Sequence, residues 1–281
     1  MTRLHEFTDK TLALPKLKAL VMAVRKLWTR EELIVAFNLY CKVPYGSLHN
    51  RNPRIRELAL LLGRSTDALA WKLNNFASLD PEHQKRGVKG AVHGAKADAA
   101  VWNEFYSDPE HLAYESERLL ANLMGHDIDE TVETPVDPLP REGLERDRMV
   151  RTRVNQSFFR ACVLAAYDNR CCVTGLAVPE LLVASHIVPW SVDAKQRMNP
   201  QNGLCLNALH DRAFDRGLMF VDEDMTVRFN KDALRGVAMS SDGAQVASLS
   251  WLTCCEGKPI RLPNRFYPDR ALLQRHRKLC S

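Results

Sequence analysis

The stretch that decides the fold runs Arg170-CCVTGLAVPELLVASHIVPWSVDAKQRMNPQNGLCLNALHDRAFDRGLMFV-Asp222. A helical pattern ends at Asn169-Arg170, CCVTGL turns, and ELLVASHIVPW is an apolar run of strand length that Pro189 and Trp190 break. That strand delivers His186 at its end. The loop SVDAKQRMNPQ follows, then a second short strand over Leu204–Leu206 and a helix starting near Ala208 that carries His210. Strand patterning returns at Leu218–Val221 and in MTVRF. A strand with a His, a loop with an Asn, a second strand and a helix with a His make a ββα finger able to hold one metal ion.

The residues Thr174-Gly175, Ala184-Ser185-His186-Ile187, Pro189-Trp190, Asn202-Gly203-Leu204, His210-Asp211 and Ala213-Phe214-Asp215 stand in one running order. In that order the stretch resembles the HNH endonucleases, in particular the branch found in bacterial restriction enzymes. The resemblance implies a hydrolase that cuts DNA phosphodiester bonds. It casts His186 as the base that deprotonates the attacking water and Asn202 as the residue that bonds backbone and aims the imidazole. His210 becomes a ligand to a divalent ion (Mg²⁺, Mn²⁺, Ni²⁺ or Co²⁺). Such chemistry needs a nucleophilic water, charge stabilisation on the phosphate and help for the leaving oxygen. Imidazole near neutral pH suits both histidine roles. Many HNH proteins carry Asp or His just before the base, where this chain has Ser185. The expected metal set is His210, Ser185 and Asp211, with Asn207 and Asp215 open because Ser is a poor ligand. The paired CxxC motifs that clamp zinc in some relatives are missing, so structural zinc is not expected. Cys162, Cys171, Cys172 and Cys205 read as core residues.

Upstream, Thr29 and Glu32 form a capping box ahead of the helical stripe Leu33, Ile34, Phe37, Tyr40. Asn52-Pro53 starts a second helix that stops at Gly63, and Ser65 caps a third with Leu69, Leu73 and Phe76 on one face. This is the pattern of a helix-turn-helix, or of a plain αα-hairpin. In the first reading Arg64, Ser65, Thr66, Asp67, Lys72 and Asn75 contact DNA. Lys85, Arg86 and Lys89, in the basic stretch that follows, track phosphates or face solvent. Another helix is expected around Glu110–Met124. The stretch GHDIDETVETPVDPLPREG lacks any period and reads as a linker. The expected organisation is α+β: a mostly helical DNA-reading domain (1–124), an acidic linker (125–143) and an HNH nuclease domain (144–281).

Hydrophobic residues make up 46% and charged residues 26% of the 281, which fits a globular chain and excludes a disordered one. The net charge of +5 hides an asymmetry: Asp108 to Glu142 holds ten acidic and two basic residues, leaving +13 elsewhere. A basic body suits a polyanion. Lys258, Arg261, Arg265, Arg270, Arg275, His276 and Arg277 add a basic C-terminal run, with a helix over Pro268–Leu279 capped by its proline. No apolar run reaches membrane-span length, no secretory signal is visible, and the cysteines make no disulfide framework. A cytoplasmic protein is expected. The partner is double-stranded DNA, read through modified bases or at an unmodified site, with a DNA-binding protein of inactive nuclease fold as the rival. A homodimer is expected, since one finger cuts one strand per engagement.

Overall fold

Local signals build the helical half around one central helix. In the computed structural model, which describes residues 27–88, 96–128, 144–239 and 242–280, helix α1 (Arg30–Lys42) is buried from Glu32 to Cys41. Its capping box is closed: Thr29 Oγ1 accepts from Glu32 N at 3.2 Å, and Thr29 N donates to Glu32 Oε2 at 2.9 Å. Helix α2 (Pro53–Leu61) is capped by Asn52 and ends at Gly63, which takes the left-handed φ of 59° that glycine tolerates. Ser65 caps α3 (Thr66–Leu79) and Asp80 caps the short α4 (Pro81–Lys85). Helices α5 (Lys96–Phe105) and α6 (Pro109–Met124) close the layer over α1. Phe37 holds its centre, with Phe76 and Trp102 each 5.0 Å away between ring centroids.

Helix α7 (Leu144–Ala166) is the longest element among the described residues and joins the two halves. It packs against α1 and α6 on one side and against the antiparallel hairpin β1 (Leu182–His186) and β2 (Gly203–Asn207) on the other. Then come α8 (Ala208–Asp215), the hairpin β3 (Met219–Val221) and β4 (Val227–Phe229), and helices α9 (Lys231–Ala238), α10 (Gly243–Thr253) and α11 (Arg270–Leu279). The fold is α+β, with the ββα unit in the C-terminal half. Lys89 and residues 129–143 of the acidic segment lie outside the described residues. No helix among the described residues is long and apolar enough to cross a membrane.

Two features of the C-terminal run differ from the sequence reading. Helix α11 is capped by Asp269, whose Oδ1 accepts from Ala271 N at 2.7 Å, and not by Pro268. Arg265 does not face a phosphate. It is fully buried against the Tyr40 ring, 4.6 Å from its centroid, and Nη2 donates to the carbonyls of Cys41 (2.9 Å) and Val43 (2.8 Å). Those carbonyls, at the end of α1 where no helical partner follows, draw the guanidinium inward.

Two buried histidines make the fold acid-sensitive. His83 lies 4.0 Å from the Tyr45 ring, and His276 stacks on Phe214 at 3.7 Å. Burial pushes both imidazoles down to about 4; the charges of Arg86 and Arg265 add to the effect on His83, while the Phe214 carbonyl partly opposes it at His276. Unfolded histidine titrates near 6.5. Between these values the unfolded chain binds protons that the folded chain refuses, so stability is whole above ~6.5 and falls as pH drops toward ~4. The expected loss by that pH is on the order of 2–3 kcal/mol per histidine. Urea midpoints measured across the window should fall accordingly, and His276→Phe should flatten part of the slope. A midpoint that does not move with pH would refute the assignment.

Candidate active site

The β1–β2 register sets Gly203 opposite His186. A Cβ on Gly203 would run into Val163 and Phe159 of α7, so glycine is what lets the hairpin lie on the long helix. Phe159 in turn stacks flat on His186, with centroids 4.0 Å apart and planes 3° from parallel. His186 Nε2 donates to the Arg197 carbonyl at 3.0 Å, which leaves the lone pair on Nδ1. Burial lowers the pKa of this imidazole, with the Arg197 carbonyl and the charge of Asp215 partly restoring it. The ring is therefore neutral at pH 7, and Nδ1 can accept a proton. Gly203→Ala is expected to cost about 1–3 kcal/mol through overpacking. It should also slow any reaction that depends on His186, because Phe159 must move. Urea unfolding and plasmid nicking of the same variant check both halves of that expectation.

Asn202 is fully buried and locks the loop that carries Arg197. Its Oδ1 accepts from Val188 N at 2.8 Å, and its Nδ2 donates to the carbonyls of Val188 (3.0 Å) and Gln196 (3.1 Å). Its own carbonyl accepts from Ile187 N at 2.8 Å. The loop is thereby pinned at both ends, and the Arg197 carbonyl is held against His186.

Helix α8 supplies the acidic side of the site. Asp211 and Asp215 lie one turn apart and so share a face. Asp211 is half-buried; burial raises its carboxyl, the neighbouring Ser185 hydroxyl and Arg212 lower it, and Asp215 raises it further. Ser185 Oγ is buried beside that carboxylate without a well-formed hydrogen bond. Two mutually repelling carboxylates and an unsatisfied hydroxyl, next to a neutral imidazole, fit a hard dication. No three His, Cys, Asp or Glu side chains among the described residues form a ready ligand cluster, so water and phosphate oxygens would complete the shell.

His210 does not join them. It is fully buried, with Nδ1 2.9 Å from Asn207 Nδ2 and Nε2 3.3 Å from the Leu252 carbonyl, and its ring lies beside Trp251. Both nitrogens are engaged, and one residue's rotation of about 100° separates its direction from that of Asp211. In this arrangement His210 anchors a polar knuckle, with both ring nitrogens turned to protein partners. Asn207 is the hub of that knuckle, capping α8 at Leu209 N and His210 N and reaching Thr174 Oγ1 at 3.3 Å and Cys171 Sγ at 3.7 Å. Cys171-x-x-Thr174 and Asn207-x-x-His210 have the spacing of paired CxxC motifs, a signal the reading by cysteines alone passes over.

The residues expected to read DNA are scattered in role. Lys72 and Asn75 are buried and bound to Asp98, Lys72 Nζ at 2.8 and 3.0 Å and Asn75 Nδ2 at 3.1 Å, so neither is presented to a groove. Arg64 is tied to Glu32 at 3.1 and 2.6 Å, donates to the Leu27 carbonyl and stacks over Trp28. Ser65 caps α3 from an exposed position, Thr66 is half-exposed and Asp67 is exposed. Lys85 is exposed and paired with Glu82, while exposed Arg86 donates to the Asn264 carbonyl at 2.6 Å.

A histidine at a strand end, an asparagine-locked loop and an acidic helix face together define the ββα class of nuclease fingers. Residues 171–222 match the family model described as HNH endonuclease, and the chain carries that domain in its C-terminal half. No curated protein matches the chain. Nucleases of the HNH type act on DNA and generally use a divalent ion.

Proposed function

We propose that the chain is a metal-dependent endodeoxyribonuclease in which His186 is the general base. The observation that carries this reading is the His186 tautomer: Nε2 is committed to the Arg197 carbonyl, so Nδ1 keeps its lone pair, and the charge of Asp215 on α8 reaches the ring. His186 Nδ1 takes the proton of the attacking water. Asn202 keeps the loop closed so that the imidazole holds its direction. Asp211 and Asp215, with the Ser185 hydroxyl, are the residues that would hold the dication. The bound ion supplies charge stabilisation on the phosphate and the leaving oxygen.

The wider reading is a cytoplasmic restriction or defence enzyme whose helical half reads DNA through the α2–α3 pair, including a modified base. With Lys72 and Asn75 turned inward, that reading now leans on Ser65, Thr66 and the exposed Trp71 of α3. A homodimer, or two copies meeting on DNA, would present one finger to each strand. Three matched DNAs, unmodified, cytosine-modified and adenine-methylated, digested with Mg²⁺, Mn²⁺, Ni²⁺ or Co²⁺, test the set. Cleavage of a modified DNA alone supports the modification-dependent form, and cleavage of the unmodified DNA supports the alternative. No cleavage with any of the four ions overturns the nuclease reading.

A further inference from the structure

A cleft of about 200 Å³ opens beside His186, between α7 and the loop that Asn202 locks. Its wall includes Asn155, Gln156, Phe159, His186, Trp190 and Arg197. Trp190 is 47% exposed although only Pro189 separates it from the buried Ile187–Val188 pair, so its indole is held at the mouth with water on one side. Asn155 is only 8% exposed, yet its Oδ1 takes no hydrogen bond among the described residues; its Nδ2 is held by Glu110 at 3.0 Å. Arg197 shows the same imbalance, with a buried Nε lacking a partner and Nη2 only loosely placed 3.5 Å from Glu110. A buried amide oxygen and a buried guanidinium N–H left unmet are costly, and a ligand with donors and acceptors would meet them. A flat apolar ring at the mouth with amide groups behind it is the chemistry that receives a nucleobase.

We propose that this cleft seats one base of the nucleotide flanking the cut, with Trp190 stacked on its face and Asn155 and Gln156 reading its edge. The proposal rests on the nuclease reading, because it needs DNA at His186. Arg197 links the two: its carbonyl holds His186, and its side chain lines the cleft. Occupation of the cleft therefore bears on the loop that aims the base. The cut should accordingly show a base preference at one flanking position, set by residues outside the α2–α3 pair.

The test uses the full chain with duplexes carrying 2-aminopurine singly at each position flanking the mapped cut, bound in chelator so that nothing is cleaved. One position is expected to change its emission on binding, and Trp190→Ala is expected to abolish that change and weaken binding by about ten-fold, within the usual value of one base–aromatic stack. Trp190 is exposed, so the variant should fold. Gln156→Ala, also at an exposed residue, is expected to relax base preference at the same position by slowing cleavage of the preferred sequence more than that of the others. Emission unchanged at every position, in a chain that cuts DNA normally, overturns the base seat and leaves the nuclease reading intact. A chain that neither binds nor cuts DNA overturns both.

Discussion

His186→Ala is expected to lower DNA cleavage by about 10²–10⁴-fold, the usual cost of losing a general base, while DNA affinity stays within a few-fold of wild type. The imidazole sits at the end of β1, stacked on Phe159 and bonded to a backbone carbonyl. None of those contacts holds a duplex. What the substitution removes is the Nδ1 lone pair, and the water then has no acceptor for its proton at neutral pH. The ring also packs, so a loss of activity alone would not separate chemistry from folding. Two readouts do. The thermal midpoint should fall only modestly, because half-buried His186 leaves a space that joins the existing cleft. Imidazole added to the variant should restore part of the rate, since a free base can enter that space, whereas a misfolded finger would not respond. Near-normal turnover by the variant would sink the assignment.

The sequence is most legible where the physics is local. Thr29 with Glu32, Asn52 with Pro53, and Ser65 each satisfy backbone N–H groups within a few residues, and the helices begin where those caps stand. The two strands of the finger were also legible, because Pro189 and Trp190 break the run that holds one and a helical pattern starting near Ala208 ends the other. Direction around a helix was not. Leu69, Leu73 and Phe76 mark the buried stripe of α3, but Lys72 and Asn75 widen it because Asp98, on a different helix, neutralises Lys72 and accepts from Asn75. Nothing near Lys72 in the sequence announces Asp98. Arg265 was hidden for the same reason: its partners are carbonyls more than 200 residues away along the chain. In the site, spacing placed His210 on α8, whereas the Asn207 cap and the Leu252 carbonyl decide which way its ring turns.

That rotation separates two neighbouring residues into opposite roles, and the pair yields the second large effect. Asp211→Ala is expected to lower cleavage by two or more orders of magnitude, because a metal ion contributes several kcal/mol of transition-state stabilisation. It should also weaken Mn²⁺ binding to the full chain measured by calorimetry, a readout that does not depend on turnover. Stability should hold or rise slightly, since burial and the repulsion of Asp215 make the Asp211 carboxylate costly when no cation is bound. His210→Ala is expected to do the reverse. Removing a fully buried ring leaves the Leu252 carbonyl without its partner, at about 1–3 kcal/mol for a group left unmet, takes one acceptor from Asn207 Nδ2 and opens a cavity besides. The urea midpoint should drop, and Mn²⁺ affinity should stay close to wild type under conditions where the variant is folded. Histidine as the ligand predicts the opposite pairing: Mn²⁺ affinity lost in a stable His210→Ala chain and retained in Asp211→Ala. The two outcomes cannot both be obtained, because each nitrogen of His210 is already spent on the knuckle that fixes where α8 begins.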